Sequence, residues 1–293
     1  MPPSDVFVPI RVCFQRKAAQ MNIAIITGAS SGIGEQYLRH VVLNRSADGN
    51  MPVDEIWAIA RRTDRLQALK AELDPVRIRV FSWDLTEKDA LDDLQQVLAT
   101  EKPVIRLLIH SAGIGRTGRF ETNTRSEIHA MISLNCSALA EVTGLCLPYM
   151  IPAGDAGTLS TGPRIVHVAS TAGLLPQPGF AVYAASKSFV ISFSRALSAE
   201  LRHHNIAVTT VCPGPVETDF VAVASGIPGA RSEGFKALFV VDPGRLAAAS
   251  LRASRRGRGM YVYGFSQKAL HVLAKLLPVR VFTAFMGRLP AGN

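Results

Sequence analysis

From Met21 onward, short apolar runs alternate with stretches whose apolar residues recur at helical spacing. "NIAIITGA" reads as a buried strand and "GIGEQYLRHVVLN" as an amphipathic helix. "EIWAIAR" and "TDRLQALKAEL" repeat the pair, followed by "VRIRVFSWDL", the helical "DALDDLQQVLA" and "IRLLIHSAG". A long helix is predicted from about Ser126 to Tyr149, then the strand "RIVHVAS". The helix "AVYAASKSFVISFSRALSAELRHH" and the strand "IAVTTVCPG" follow, and "GMYVYG" is a last strand. Apolar strands separated by amphipathic helices imply an α/β fold, a single doubly wound parallel sheet with helices on both faces. No linker or internal repeat divides the span 21–265.

Composition narrows the reading without changing it. The 293 residues, 48% of them apolar and 19% charged, suit a folded globular chain. Cys13, Cys136, Cys146 and Cys212 are scattered, with no zinc-type spacing, and read as reduced thiols of a cytoplasmic protein. The charge-poor stretch Ile165 to Ser186 is long enough to span a bilayer, but Gly173, Pro176, Pro178 and Gly179 break it, so no span is expected. Residues 1–20 lack the apolar run of a secretory signal and read as an extension outside the core, with a short edge strand or an arm onto a partner subunit as the alternative.

The net charge of +9 sits in the tail. No Asp or Glu follows Asp242, whereas arginines and lysines continue to Arg288. Residues 266–293 form a basic amphipathic segment, with Leu270, Leu273, Leu276 and Leu277 opposite Lys268, His271 and Lys275. A helix packed on the body or across a subunit interface is the plainest reading. Peripheral contact with anionic lipid is an alternative that is not favoured, and no recognition motif points to nucleic acid.

In an open parallel sheet, ligands sit beyond the carboxyl ends of the strands. Strand one ends in "TGASSGIG", with Gly28, Gly32 and Gly34 leading into a helix. Such glycines allow a tight turn and close approach of a pyrophosphate to helix N–H groups. The Gly-Lys-Ser/Thr of a Walker loop is absent, so a dinucleotide is expected rather than a nucleoside triphosphate. At the end of strand two, where an acidic residue would bind the adenosine ribose, "WAIARR" places Ala60 followed by Arg61 and Arg62. Cations oppose the helix dipole there, and a 2′-phosphate between them would remove that cost. NADP(H) is therefore expected in preference to NAD(H). Tyr183 and Lys187, four apart on a helix, share a face one turn apart.

This set of motifs, in this order, resembles the short-chain dehydrogenase/reductase family in its TGxxxGxG branch, over roughly residues 21–265. The motifs are "TGASSGIG", Asp84-Leu85, "SAG" at 111–113, Asn135, Ser170, Tyr183-xxx-Lys187 and "PGPVETD" at 213–219. The resemblance implies a seven-stranded Rossmann-type sheet and hydride transfer between NAD(P)(H) and a carbonyl or secondary alcohol. It casts Tyr183 as general acid or base and Ser170 as the group that orients the substrate oxygen. Lys187 would hold the nicotinamide ribose and favour the phenolate, and Asn135 would support a water chain from Lys187 to solvent. Cofactor contacts would come from Gly28, Ser30, Ser31, Gly32, Ile33, Gly34, Arg61, Arg62, Asp84, Leu85, Ser111, Ala112 and Gly113, together with Tyr183, Lys187, Pro213, Gly214, Val216 and Thr218.

Ser111 departs from the family's usual asparagine. Residues 221–240 look like a mobile substrate lid carrying Phe235 and Phe239, just after Phe220. With Leu174, Leu175 and Phe180 opposite, the pocket would suit a lipophilic substrate. The resemblance also implies a homodimer or homotetramer built on helices near 126–149 and 183–203. A catalytically silent NADP-binding regulator of the same fold is the alternative function. The intact Asn135, Ser170, Tyr183 and Lys187 set favours the enzyme.

Overall fold

The computed structural model describes residues 20–43, 53–73, 78–151, 158–159, 161–218, 220–227, 240–264 and 267–268. The extension before Gln20, most of the connection after helix one, Phe235, Phe239 and the tail beyond Lys268 lie outside the described residues.

Seven strands form one parallel sheet in the order β3-β2-β1-β4-β5-β6-β7. They are β1 (Asn22–Thr27), β2 (Glu55–Ala60), β3 (Ile78–Ser82), β4 (Val104–His110), β5 (Arg164–Val168), β6 (Ala207–Cys212) and β7 (Met260–Val262). The helices are α1 (Gly32–Leu43), α2 (Thr63–Leu73), α3 (Lys88–Glu101), α4 (Arg125–Ile132) and α5 (Leu139–Cys146). After these come α6 (Ala181–Glu200), α7 (Phe220–Ser225) and α8 (Pro243–Arg255). The chain reverses direction across the sheet between β1 and β4, which creates the crevice where doubly wound folds bind ligands.

Strand alternation explains the two cores. Ile23 and Ile25 of β1 face one side with Trp57, Ile59, Leu108 and Ile165, beneath α3, α5 and α6. Ala24 and Ile26 face the other with Ile56, Ala58, Leu107 and Val166, beneath α1, α2 and α8. Strands buried on both faces read as continuous apolar runs, which is why the sequence shows them so plainly.

Helices α4 and α5 belong to one helical stretch, Arg125–Tyr149, joined by a π-helical turn at Ser133–Ala138. A capping box at Thr124 and Glu127 starts it. Its length and hydropathy would suffice to cross a membrane. Met131, Ala138, Val142 and Cys146 on it are buried against the protein. The Ile165–Ser186 stretch resolves into β5, a short 3-10 turn and the start of α6. The first of the basic residues that follow Asp242 lie on α8, which runs on to Arg255. Asp242 caps α8 through the Arg245 N–H, and Pro243 occupies its first turn.

A row of polar groups crosses the core just below the strand ends. Thr27, His110, His167 and Thr210 are register neighbours on β1, β4, β5 and β6, all fully buried. The Thr143 hydroxyl lies 3.1 Å from His110 Nε2 and 3.3 Å from His167 Nε2, and Ser194 Oγ lies 2.8 Å from His167 Nδ1. Burial lowers the His110 pKa to about 3. Burial, with His110 nearby, likewise holds His167 well below its usual value.

Both rings are therefore neutral in the fold, whereas the unfolded chain protonates them near ~6.5. Their contribution to stability is complete above that pH and is lost progressively as pH falls below it. The melting temperature is expected to drop between pH 6.5 and 4.5. A His110→Asn, His167→Asn double variant should show a flatter profile over that interval. An unchanged slope would show that other groups set the acid limit.

Candidate active site

The amino-terminal half of the site is built from backbone on backbone. Gly28 follows β1 with φ +68°, and a Cβ there would lie 2.6 Å from the Ala112 N atom. A Cβ on Gly34 would come within 2.1 Å of the Gly28 carbonyl oxygen. No side chain fits at either position, so β1, the start of α1 and the segment after β4 close into one tight cradle. Ile33 packs against the α1-side core, and Leu85 is buried on the other face. Gly32 has φ +55°, and Thr218 Cγ2 would lie 3.1 Å from its added Cβ, so the segment after β6 arches over this loop.

The two arginines after β2 divide their partners. Arg62 reaches back over the cradle, donating from Nε and Nη2 to Ser30 Oγ at 3.3 and 3.2 Å and from Nη2 to Ser31 Oγ. Arg61 is two-thirds exposed and pairs with Asp84 at 3.5 Å. Burial works against the Asp84 carboxylate, but hydrogen bonds from Thr86 and the Arg61 charge together hold its pKa below the usual value. Ser111 is tied through its backbone, its N–H donating to the Thr27 carbonyl at 3.2 Å. The main chain therefore preserves this corner despite the missing asparagine.

The carboxyl-terminal half gathers around α6. Tyr183 and Lys187 share its buried face, 6% and 5% exposed. Lys187 Nζ donates to the Val168 carbonyl at 3.0 Å and lies 5.7 Å from the Tyr183 ring centre. A Cβ on Gly113 would lie 3.1 Å from both Lys187 Nζ and Asn135 Oδ1, so that glycine lets the chain pass between them. Asn135 sits in the π-helical turn, where its Nδ2 donates to the Ile114 carbonyl and to Ser186 Oγ, and its Oδ1 accepts from the Ile114 N–H. Ser186 in turn donates to the Tyr183 carbonyl at 2.7 Å. Asn135 thus clamps the segment after β4 to the helix that carries the Tyr-Lys pair.

Burial pushes the Tyr183 phenol up to about 12, and a hydrogen bond with Ser170 partly opposes the rise. The sequence-based expectation, that Lys187 and the positive nicotinamide of the oxidised coenzyme together favour the anion, concerns the loaded site. The protein surroundings favour the protonated phenol because desolvation outweighs any help from the ammonium. Burial also lowers Lys187, to about 8, with the Cys136 and Cys212 thiols acting in the opposite sense. Ser170 additionally accepts from the Ala172 N–H at 3.1 Å.

Three groups at this end were not singled out by sequence as a unit. Phe180 packs against Tyr183 at 4.3 Å between ring centres, and Phe220 at 5.3 Å on α7. Gly115 faces all three rings, since a Cβ there would meet Phe220, Tyr183 and Phe180 within 3.3 Å. The α7 segment is fastened to the loop after β4 by the Thr117 N–H, which donates to the Ala224 carbonyl at 2.9 Å. Leu175 is buried and Leu174 packs in a neighbouring apolar cluster.

Pro213 accepts from the Thr171 N–H at 2.8 Å, Gly214 passes against Gln267, and Val216 bridges to Val241. The predicted strand-end residues therefore converge on one crevice from β1, β4, β5 and β6. No grouping of metal-binding side chains occurs among the described residues.

Comparison with known proteins accords with this geometry. Residues 22–225 match the short chain dehydrogenase family. A sulfoacetaldehyde reductase of Chromohalobacter salexigens is 35% identical over 213 residues, covering 71% of this chain and 78% of that protein. A short-chain dehydrogenase from Sphingobium yanoikuyae, solved in complex with NADPH, superposes with a TM-score of 0.70 at 26% identity. That match covers 93% of this chain and 98% of the other. A serine dehydrogenase solved with NADP+ gives 0.68 at 26% identity, covering 82% and 94%. The chain belongs to the short-chain dehydrogenase/reductase family and is an NAD(P)-dependent oxidoreductase acting on the CH–OH group.

Proposed function

We propose that the protein transfers a hydride between NADP(H) and a lipophilic carbonyl or secondary alcohol, with Tyr183 as general acid/base. The observation that carries this reading is the buried Tyr183 phenol, with Ser170 near enough to lower its pKa and Lys187 one helical turn away on the same buried face of α6. The residues present fit the coenzyme. The Gly28–Gly34 cradle admits a pyrophosphate against the start of α1, and Arg62 stands where a 2′-phosphate would reach Ser30 and Ser31. When bound, NADPH supplies the hydride.

In the reductive direction Ser170 holds the carbonyl oxygen and Tyr183 gives it a proton as negative charge develops there. The phenolate left on Tyr183 is stabilised by the Lys187 ammonium and recovers its proton through it from solvent. Asn135 and Ser186 keep the helix and the loop after β4 in register for this exchange.

The aromatic surroundings support a lipophilic substrate. Phe180, Phe220, Ile114, Met131 and Val182 surround Tyr183. Nearby, Arg116 pairs with Glu127 at 3.0 Å. Comparison of kcat/KM for an aromatic or medium-chain aldehyde with that for sulfoacetaldehyde tests this reading. A preference of at least about tenfold for the lipophilic compound is expected, the effect of one or two buried methylene groups. A preference for the sulfonate would reverse the substrate class.

The proposal extends to assembly and location. Ile132 on α4 and Phe189 on α6 expose large apolar side chains, which supports a homodimer or homotetramer formed through these helices. Light scattering should give at least twice the 31.5 kDa chain mass, and a monomer at micromolar concentration would remove the proposal. Cys136, Cys146 and Cys212 are free thiols, which suits a reducing, cytoplasmic setting.

A further inference from the structure

Two arginines lie at the other end of the sheet, away from the coenzyme loop. Arg106 is the third residue of β4 and Arg164 the first of β5, and Leu107 pairs with Arg164 across the two strands. Arg164 is 6% exposed. The Nε atoms of both are buried and have no hydrogen-bond partner among the described residues. Arg106 donates from Nη2 to the Thr161 carbonyl at 2.9 Å, which brings it to the turn that leads into Arg164. No carboxylate among the described residues acts on either guanidinium. Burial and then the like charge of Arg106 bring Arg164 down to about 10.

Guanidinium groups carry donors and no acceptor, so a neighbouring arginine cannot satisfy them. Burying a charge costs free energy unless an opposite charge and hydrogen bonds answer it. Two like charges with unfilled Nε–H groups, on adjacent strands, call for a negative group with at least two acceptor oxygens. Arginine forks match carboxylate and phosphate in that way.

We propose that Arg106 and Arg164 form an oxyanion site at the amino-terminal end of β4 and β5, separate from the coenzyme crevice, which takes phosphate or a small phosphate- or carboxylate-bearing metabolite. Its occupation neutralises the pair and stabilises the sheet where the chain enters β5. The site is independent of the catalytic reading, because its residues lie at the amino-terminal ends of β4 and β5, opposite the carboxyl ends that border the crevice.

The test is thermal melting of the full chain saturated with NADPH, so that the Gly28–Gly34 loop does not compete for the added anion. Inorganic phosphate is titrated against chloride at equal ionic strength. A saturable rise of about 3 °C or more above the chloride reference is expected. Acetate in a parallel titration separates the ligand chemistries: saturation by acetate as well assigns any carboxylate, and by phosphate alone a phosphate ligand.

Arg106→Gln keeps an amide for the Thr161 carbonyl but removes one charge. It should abolish the saturable response and melt no lower than the unaltered protein at low salt. Arg106→Glu carries its own carboxylate to Arg164 and should be insensitive to phosphate. Three results would each overturn the site: no difference between phosphate and chloride in the unaltered protein, the same response in Arg106→Gln, or an Arg106→Gln protein that melts lower at low salt. Should the Gln variant fail to fold, the unaltered protein and the Glu variant still decide the matter.

Discussion

Replacing Tyr183 by Phe should lower turnover by ~100-fold or more while leaving the fold and NADPH affinity intact. The substitution removes one hydroxyl and keeps the ring that packs between Phe180 and Phe220. Its structural cost is small because Ser170 retains the Ala172 N–H as a partner. The loss therefore falls on the proton transfer. A phenol held up to about 12 is protonated throughout the neutral range, the form a carbonyl reduction consumes. Without it the developing alkoxide must take its proton from water, which the apolar surroundings admit poorly. Loss of coenzyme binding together with activity would indicate a structural role for Tyr183, and retained activity would remove the proton role altogether.

The second large effect concerns coenzyme choice, and the structure ranks two arginines that the sequence leaves level. Arg62 already contacts both hydroxyls of the glycine-rich loop, whereas Arg61 points to Asp84 and solvent. A 2′-phosphate set between Ser30, Ser31 and Arg62 would gain a charge-assisted contact of ~1.5–3 kcal/mol. That corresponds to roughly tenfold to a hundredfold in affinity. Arg62→Asp should weaken NADPH by at least that factor, since it adds repulsion, and change NADH little. Arg61→Asp should weaken NADPH too, but less, because Asp84 already holds part of that charge. Titration of the unaltered protein with both coenzymes supplies the baseline. Equal affinities there would sink the preference for NADP(H), and a larger effect at Arg61 would reverse the ranking.

The legibility of the fold followed the range of the interactions that make it. Strands β1 to β6 and helices α1 to α3 and α6 carry their signal in consecutive residues, because both faces of the sheet are covered and the helices keep one apolar stripe. Helix α8 has a strong local start in Asp242-Pro243, but its buried stripe of Leu246, Ala247, Ser250 and Ala253 consists mostly of small residues and carries little apolar signal in sequence. The π-helical turn at Asn135 has no local signature. It arises where the side chain must reach the loop after β4.

The site divides in the same way. Gly28 and Gly34 were readable from turn geometry, which is local, whereas spacing alone gave only a shared helix face for Tyr183 and Lys187, their roles coming from Ser170 upstream and the family resemblance. Gly115 was not readable, because what it accommodates comes from Phe180, Tyr183 and Phe220, distant in sequence. The rise in the Tyr183 pKa was hidden for a related reason. A lysine four residues away is visible in sequence, but the burial that outweighs it is a property of the assembled sheet and helices. The polar row of Thr27, His110, His167 and Thr210 likewise exists only in the register of four strands.

The most direct measurement is the loss of NADPH absorbance when purified protein is mixed with a panel of lipophilic aldehydes and ketones, run beside Tyr183→Phe. The assignment predicts catalytic consumption of NADPH with at least one of them and residual consumption, lower by ~100-fold or more, in the variant. A folded, NADPH-binding protein that consumes no coenzyme with any carbonyl compound, or a variant that matches the unaltered rate, would contradict it.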